Sequence, residues 1–252
     1  MPITVFLQEN GRFTDATATL KLSSHTGWWN TMFLEDLNGD GKLDIIAGNL
    51  GENTKYDVSA DEPLSVFAKD YDDNGMIDAI MSCFIGGEEH VLHSKSTLEQ
   101  QVIRFKKRYV KHEEFAKATF AEIVPLEIRD GAYILKANTF SHTAFLSSTD
   151  GYKAIPLPKE TQIAPLNAIA KVGRDYLLSG NNYGTEVTVG QYDAGHGFSV
   201  YYDTNLNSFK MSRNSNYRAS GNIKSSVSLT VGSETILVHG VSGGELYVSK
   251  VK

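Results

Sequence analysis

Apolar residues along this chain gather in short runs that end in small or turn-forming residues. Leu43-Asp-Ile-Ile-Ala-Gly48-Asn49, Asp175-Tyr-Leu-Leu-Ser-Gly180-Asn181 and Thr235-Ile-Leu-Val-His-Gly240 share this form. Ile77-Asp-Ala-Ile-Met-Ser82 is a fourth version, and Ala132-Tyr-Ile-Leu-Lys-Ala137-Asn138 a weaker fifth. Each run has the length of a strand and the apolar continuity of a buried one, so five strand cores are predicted. Phe198–Tyr202 and Leu246–Lys250 are expected as outer strands of later units. Thr4–Leu7 and Gly11–Phe13 read as a hairpin.

Cores recurring at intervals of 34 to 60 residues, each with further strands around it, imply radial repetition. The predicted fold is all-β, a β-propeller of about five blades (range four to seven), in one domain over residues 1–252. A ring must hide its two open sheet edges. Ile3–Leu7 is therefore expected to pair with Leu246–Lys250 and close it. Residues 96–124 depart from the strand pattern and predict a helical insertion. Ser96 and Glu99 have capping-box spacing, Leu98, Val102, Phe105 and Tyr109 recur at helical intervals, and Pro125 is expected to end the segment. Its polar side carries Arg104, Lys106, Lys107, Arg108 and Lys111, read as a solvated face.

Two nine-residue stretches carry the clearest chemistry. Asp36-Leu-Asn38-Gly-Asp40-Gly41-Lys42-Leu-Asp44 and Asp70-Tyr-Asp72-Asp-Asn74-Gly75-Met76-Ile-Asp78 place Asp or Asn at positions one, three and five, Gly at six and Asp at nine. Alternate oxygens of such a loop point inward, Gly supplies the sharp turn, and the carbonyl at position seven (Lys42, Met76) adds a ligand. A flexible all-oxygen set without thiolate or imidazole suits calcium better than magnesium, so two calcium sites are expected. An EF-hand is excluded because position twelve is Ala47 or Met81 where a bidentate Glu is required, and the flanks read as strands. Asn-Gly and Asp-Gly are also common hairpin dipeptides, and the repetition in one register is what favours metal over plain turns.

Composition narrows the partners. The chain has 252 residues, 41% of them apolar, and a formal charge of −6, which argues against a nucleic-acid surface as its main business. Cys83 is the only cysteine and sits in an apolar run, so it reads as a buried small hydrophobe. No apolar run reaches the roughly 18 residues of a membrane span. The N-terminus has no charged head followed by an apolar stretch and reads as the middle of a strand. The chain is expected to be a C-terminal fragment of a longer parent, folded as a monomeric domain.

The Asp-x-Asn-Gly-Asp-Gly-x-x-Asp loop followed by an apolar strand resembles the FG-GAP/VCBS repeats of calcium-bearing propeller blades. Gly27-Trp28-Trp29-Asn30, Gly48-Asn49-Leu-Gly51, Lys106-Lys-Arg-Tyr109, Pro158-x-x-x-Gln162-x-x-Pro165 and Gln191-Tyr-Asp193 resemble a subgroup of large bacterial surface proteins with FG-GAP repeats and an ASPIC/UnbV segment. That resemblance implies a propeller of seven or fewer blades. It also implies calcium at Asp36, Asn38, Asp40 and Asp44 and at Asp70, Asp72, Asn74 and Asp78, and an exported parent at the bacterial surface, in the periplasm or outside the cell. The chain departs from the pattern near Lys171–Asp175, where the acidic loop is gone.

No nucleophile elbow, zinc-protease helix, phosphate loop or dinucleotide fingerprint occurs. His90 and His93 lie three apart on a strand, facing opposite ways, and Glu88 and Glu89 sit in a Gly-Gly-Glu-Glu hairpin tip. Aromatic residues near the strand cores, Trp28, Tyr56, Tyr183, Tyr192 and His196, offer flat faces for sugar rings or peptide side chains. The expected function is noncatalytic recognition of a glycan or protein. A glycan-active enzyme built on propeller loops is the alternative, and nucleic-acid binding through the basic helix a third.

Overall fold

The computed structural model describes residues 1–107, 109–186, 189–213 and 216–251. The chain is mostly β and divides into two compact units. One comprises Met1, His25–Gly27 and Tyr56–Thr139; the other comprises Pro2–Ser24, Trp28–Lys55 and Phe140–Lys252.

Among its described residues the larger unit holds four antiparallel sheets. A two-stranded hairpin, β1 (Phe6–Glu9) with β2 (Arg12–Asp15), turns at Asn10-Gly11, both in the left-handed region. The second sheet is ordered β10-β9-β4-β3, with β3 at Thr31–Glu35, β4 at Asp44–Gly48, β9 at Thr143–Ser148 and β10 at Gly151–Pro156. The third is the meander β11 (Leu166–Val172), β12 (Asp175–Gly180), β13 (Phe198–Asp203) and β14 (Ser208–Met211). The fourth has three strands, β15 (Ile223–Val231), β16 (Glu234–Val241) and β17 (Tyr247–Val251).

Side-chain alternation explains why the central strands are apolar throughout. Ile46 on β4 packs with Leu166, Ile169 and Leu178 of the third sheet, whereas its neighbours Ile45 and Ala47 pack with Ile3, Leu22 and Phe145. On β12, Leu178 joins the first of these clusters and Leu177 joins Ile223 and Leu237 of the fourth sheet. Successive side chains of a strand point to opposite faces. A strand covered on both sides therefore needs an unbroken apolar run.

The smaller unit is a sheet ordered β7-β6-β5-β8, with β5 at Leu64–Lys69, β6 at Asp78–Ile85, β7 at Glu88–Val91 and β8 at Tyr133–Ala137. Short helical pieces pack on it: α1 (Lys95–Gln101), a 3-10 turn at Ile103–Lys107, α2 (His112–Lys117), α3 (Phe120–Ile123) and α4 (Leu126–Arg129). Leu98, Val102 and Phe105 are buried with Phe67 and Phe120, so the apolar stripe read from the sequence is a core face.

Details of this segment differ from expectation. It is several short helices, because the chain turns extended at Val102 (φ −133°), where two β-branched residues adjoin. Ser94, not Ser96, caps α1, through Thr97 N–H. The capping box is Thr119 with Glu122, at α3. Pro125 does not end the helical stretch but is the N-cap of α4, a place where its missing N–H costs nothing. Of the basic residues, Arg108 lies outside the described residues.

All five expected strand cores are strands, but two readings of the sheet edges are corrected. β13 is an inner strand, paired on one side with β12 and on the other with β14. The N-terminal segment does not pair with the C-terminal strand: β1 pairs with β2, and β17 with β16. Ile3 is instead drawn into the core with Leu22 and Phe145, where burial is worth more than an edge pairing.

Candidate metal centre and ligand surface

Both oxygen-rich loops are the tips of hairpins. Glu35 pairs with Asp44 at the base of the first and Lys69 with Asp78 at the base of the second. Their backbones repeat one geometry. Position six is left-handed in each (Gly41 φ 82°, Gly75 φ 85°), and so is position four (Gly39 φ 79°, Asp73 φ 60°). Glycine bears this freely, and Asp is among the few other residues that tolerate it.

The turn gathers backbone N–H groups onto the first carboxylate. Gly39 and Asp40 N–H donate to Asp36 Oδ1 at 2.7 and 3.1 Å, and Gly41 N–H to Oδ2 at 2.8 Å. Asn74 and Gly75 N–H do the same for Asp70, at 3.1 and 2.8 Å. The glycine N–H of position six contributes most to holding both carboxyls below the usual carboxylate range. At position five, Asp40 Oδ1 accepts from Lys42 N–H and Asn74 Oδ1 from Met76 N–H. The ninth residues are buried braces. Asp44 accepts from Leu37 N–H at 2.9 Å and from Ser147 N–H on β9 at 2.7 Å, and Asp78 accepts from Tyr71 N–H at 3.0 Å. Burial, reinforced by the like charges of Asp40 and Asp36, raises the Asp44 carboxyl despite its two N–H donors.

The loops differ at position three. Asn38 Oδ1 is occupied by Asp40 N–H at 2.9 Å. Asp72 Oδ1 is shielded from solvent and has no hydrogen-bond partner. Carboxylate oxygens of Asp70, Asp72 and Asp78 lie within 4.8 Å of one another, the only such acidic trio among the described residues. A shielded carboxylate oxygen without a donor is costly unless a cation meets it. The side-chain donor set of this trio is all oxygen, so the second loop fits a calcium ion. Asp36, Asp40 and Asp44 do not converge to that degree.

The proposed aromatic ligands are dispersed. Trp28 packs on Phe140 with ring centroids 4.9 Å apart, and Trp29 edge-on to Phe145 at 5.6 Å, so both tryptophans brace the larger unit. Tyr56 belongs to the smaller unit. Tyr183, Tyr192 and His196 share the 181–197 connection between β12 and β13. Tyr192 is tied at both ends: its backbone bridges Asn182, and its hydroxyl lies 3.0 Å from Thr54 Oγ1. His196 is exposed, with its ring against Phe198. Tyr183 is 38% exposed and is the freest of the three.

Other chemistry-bearing residues have structural partners. His93 Nε2 accepts from Met81 N–H, His90 Nδ1 lies 3.1 Å from the Ala118 carbonyl, and Cys83 is buried. Sequence reading missed the polar cluster around His142, Asn49 and Gln162, all buried in the larger unit. The repeated Gly-Asn at the ends of β4 and β12 was its one visible trace. Asn49 Oδ1 accepts from Trp28 and Leu50 N–H, and Asn181 clasps the backbone of Gly195 and Gly221.

An antiparallel β assembly with twin oxygen-lined hairpin tips defines the class. Residues 1–47, which contain the whole first loop, match the family model of an FG-GAP-like repeat. No curated protein and no solved structure matches the chain. No helix among the described residues is long and apolar enough to cross a membrane.

Proposed function

We propose that the chain is a calcium-stabilised, noncatalytic recognition module built as FG-GAP-type propeller blades and displayed at a bacterial cell surface. The observation that carries it is the Asp70, Asp72 and Asp78 trio with its unpartnered Asp72 oxygen. Stacked four-stranded sheets sharing cores on both faces support the blade reading. A glycan or protein ligand is expected on the long β12–β13 connection, since connections on a rigid scaffold are where binding residues concentrate. Here Tyr183 offers an exposed ring on a loop anchored by Asn181 and Tyr192.

Calcium is the direct test. Extracellular modules bind at about 0.1–1 mM, so 1 mM calcium should add roughly 0.4–1.4 kcal/mol per occupied site. Chelator should lower the melting temperature correspondingly. Asp72→Ala should abolish the second loop's share yet be no less stable than the parent in chelator, because Asp72 Oδ1 gives up no hydrogen bond there. Melting that ignores calcium and chelator alike would reduce both loops to ordinary turns. For the ligand, Tyr183→Ala should weaken a glycan or protein hit from an array by about 0.5–1.5 kcal/mol while leaving the calcium response intact. A hit that binds the variant as well as the parent removes this loop from the reading.

A further inference from the structure

The smaller unit contains a cleft of about 450 Å³ on the sheet face that also carries its helices. That volume falls within the roughly 300–1,000 Å³ of small-molecule sites. Strand register builds its floor. Ser65 pairs with Ser82 on one side and Lys136 on the other; two residues along, Phe67 pairs with Ile80 and Ile134. Paired residues, and residues two apart, share a face, so Ser65, Phe67, Ile134 and Lys136 line the cleft together.

The fold leaves polar capacity unused here. Ser65 is 2% exposed, yet its hydroxyl makes no hydrogen bond among the described residues. A buried hydroxyl without a partner is costly unless something entering the cleft meets it. Arg129, from α4, lies over the Phe67 and Phe120 rings at 5.8 and 5.2 Å. It forms no ion pair among the described residues. A guanidinium stacked on aromatic faces keeps its fork of donors ready for a carboxylate. Glu89 has the opposite sign and is fixed in place, since Ser82 Oγ donates to its Oε1 at 2.6 Å.

Charge and span narrow the occupant. Arg129 and Lys136 face three carboxylates, Asp61, Glu89 and Asp130, a balance that disfavours a polyanion and suits a ligand of both signs. Ser82, which holds Glu89, and Phe67, which carries Arg129, stand one strand and two residues apart, about 8 Å. An ammonium and a carboxylate on one carbon, about 3 Å apart, cover that span with a hydrogen bond of about 2.9 Å at each end. Phe84, Ile134 and Leu126 supply apolar surface beside them, the last two 48 and 65% exposed.

We propose that this cleft binds a small zwitterion with an apolar side chain, an aromatic or branched aliphatic α-amino acid. Its carboxylate meets Arg129, its ammonium meets Glu89, and the Ser65 hydroxyl bonds between them. Its side chain lies against Phe84 and Ile134. Every lining residue belongs to the smaller unit, whereas Tyr183 belongs to the larger, so this inference and the ligand reading of the Tyr183 loop fail independently.

Ligand-observed NMR titration of the full chain, with calcium present throughout, makes the test. The probes are L-phenylalanine and L-leucine, with 3-phenylpropionate lacking the ammonium and phenethylamine lacking the carboxylate. Phenylalanine should bind at least tenfold more tightly than either singly charged analogue. Arg129→Gln and Glu89→Gln should each weaken it at least tenfold, and the second retains an oxygen for Ser82. Ser65→Ala surrenders no hydrogen bond, so it should melt like the parent while weakening binding severalfold. Tyr183→Ala should change nothing. An analogue that binds as well as phenylalanine overturns the zwitterion assignment, as does the absence of binding by both amino acids. Affinity unchanged in Ser65→Ala and Glu89→Gln would take the ligand out of this cleft and overturn it equally.

Discussion

Lowering the pH from 7 to 4 is expected to cost this protein about 3 kcal/mol of stability through one residue, His142. Its imidazole is buried and held in one tautomer. Nδ1 accepts the N–H of Asn49 at 3.0 Å, which leaves Nε2 to carry the proton and donate to the Ala164 carbonyl at 2.9 Å. Burial lowers its pKa from 6.5 to about 4. A second proton would have to sit on Nδ1, against the Asn49 N–H. The unfolded chain therefore binds more protons than the folded one between about pH 4 and 6.5. The contribution is complete above pH 6.5 and declines as pH falls through that window. Asp44 works the other way: its raised carboxyl takes up a proton in the folded state first, so acid relieves rather than worsens its burial. Urea denaturation at pH 7 and pH 4 measures the balance. His142→Asn, whose amide oxygen can still receive the Asn49 N–H, should be weaker at pH 7 and nearly flat across the window. A parent chain equally stable at both pH values, or a variant with the parent's slope, would sink the assignment.

The sequence disclosed those parts of the fold that depend on local period and local turn chemistry. Asp175–Gly180 is a strand end to end, and both oxygen-rich stretches cap hairpins, because continuous apolar runs and Gly-bearing turns act within a few positions. The buried helical stripe at Leu98, Val102 and Phe105 was legible for the same reason. Pairings between distant segments were not. β4 meets β9 through Ile45 and Phe145, with the body of the smaller unit intervening in the chain, and no periodicity reports such a neighbour. Ring closure by Ile3–Leu7 was an inference from edge avoidance alone, and core burial of Ile3 took that segment elsewhere. For the candidate metal centre, ligand spacing singled out two stretches that the structure shows as hairpin tips of one backbone geometry. It did not reveal that position three separates the loops, since Asn38 and Asp72 look interchangeable until their donors are counted.

Gly180→Ala is expected to cost about 3 kcal/mol, the upper end for an added methyl group. Gly180 closes β12 with ordinary backbone angles, so the cause is proximity and not strain. An added Cβ would be driven into the Pro165 carbonyl oxygen, with the carbonyl carbon 2.8 Å away and Asn167 N at 2.9 Å. These are backbone atoms of β11 and its lead-in and cannot rotate aside. The equivalent glycine of the fourth sheet, Gly240, is the internal control. Its Cβ would meet Ser225 Oγ at 2.5 Å, the end of a side chain with other rotamers. Gly240→Ala should therefore cost clearly less, and comparing denaturation midpoints isolates backbone approach from the general penalty of a larger residue. The damage should also reach the connection between β12 and β13. Asn181, next in sequence, sits at φ 125°, a conformation sustained by its side-chain bonds to Gly195 and Gly221. If β12 must retreat from Pro165, those bonds stretch first, and Tyr183 and Tyr192 lose their fixed base. Gly180→Ala should thus loosen the 181–197 connection to limited proteolysis under conditions where Gly240→Ala does not. Equal midpoints and equal cleavage for the two variants would show that the close approach at Pro165 is readily relaxed.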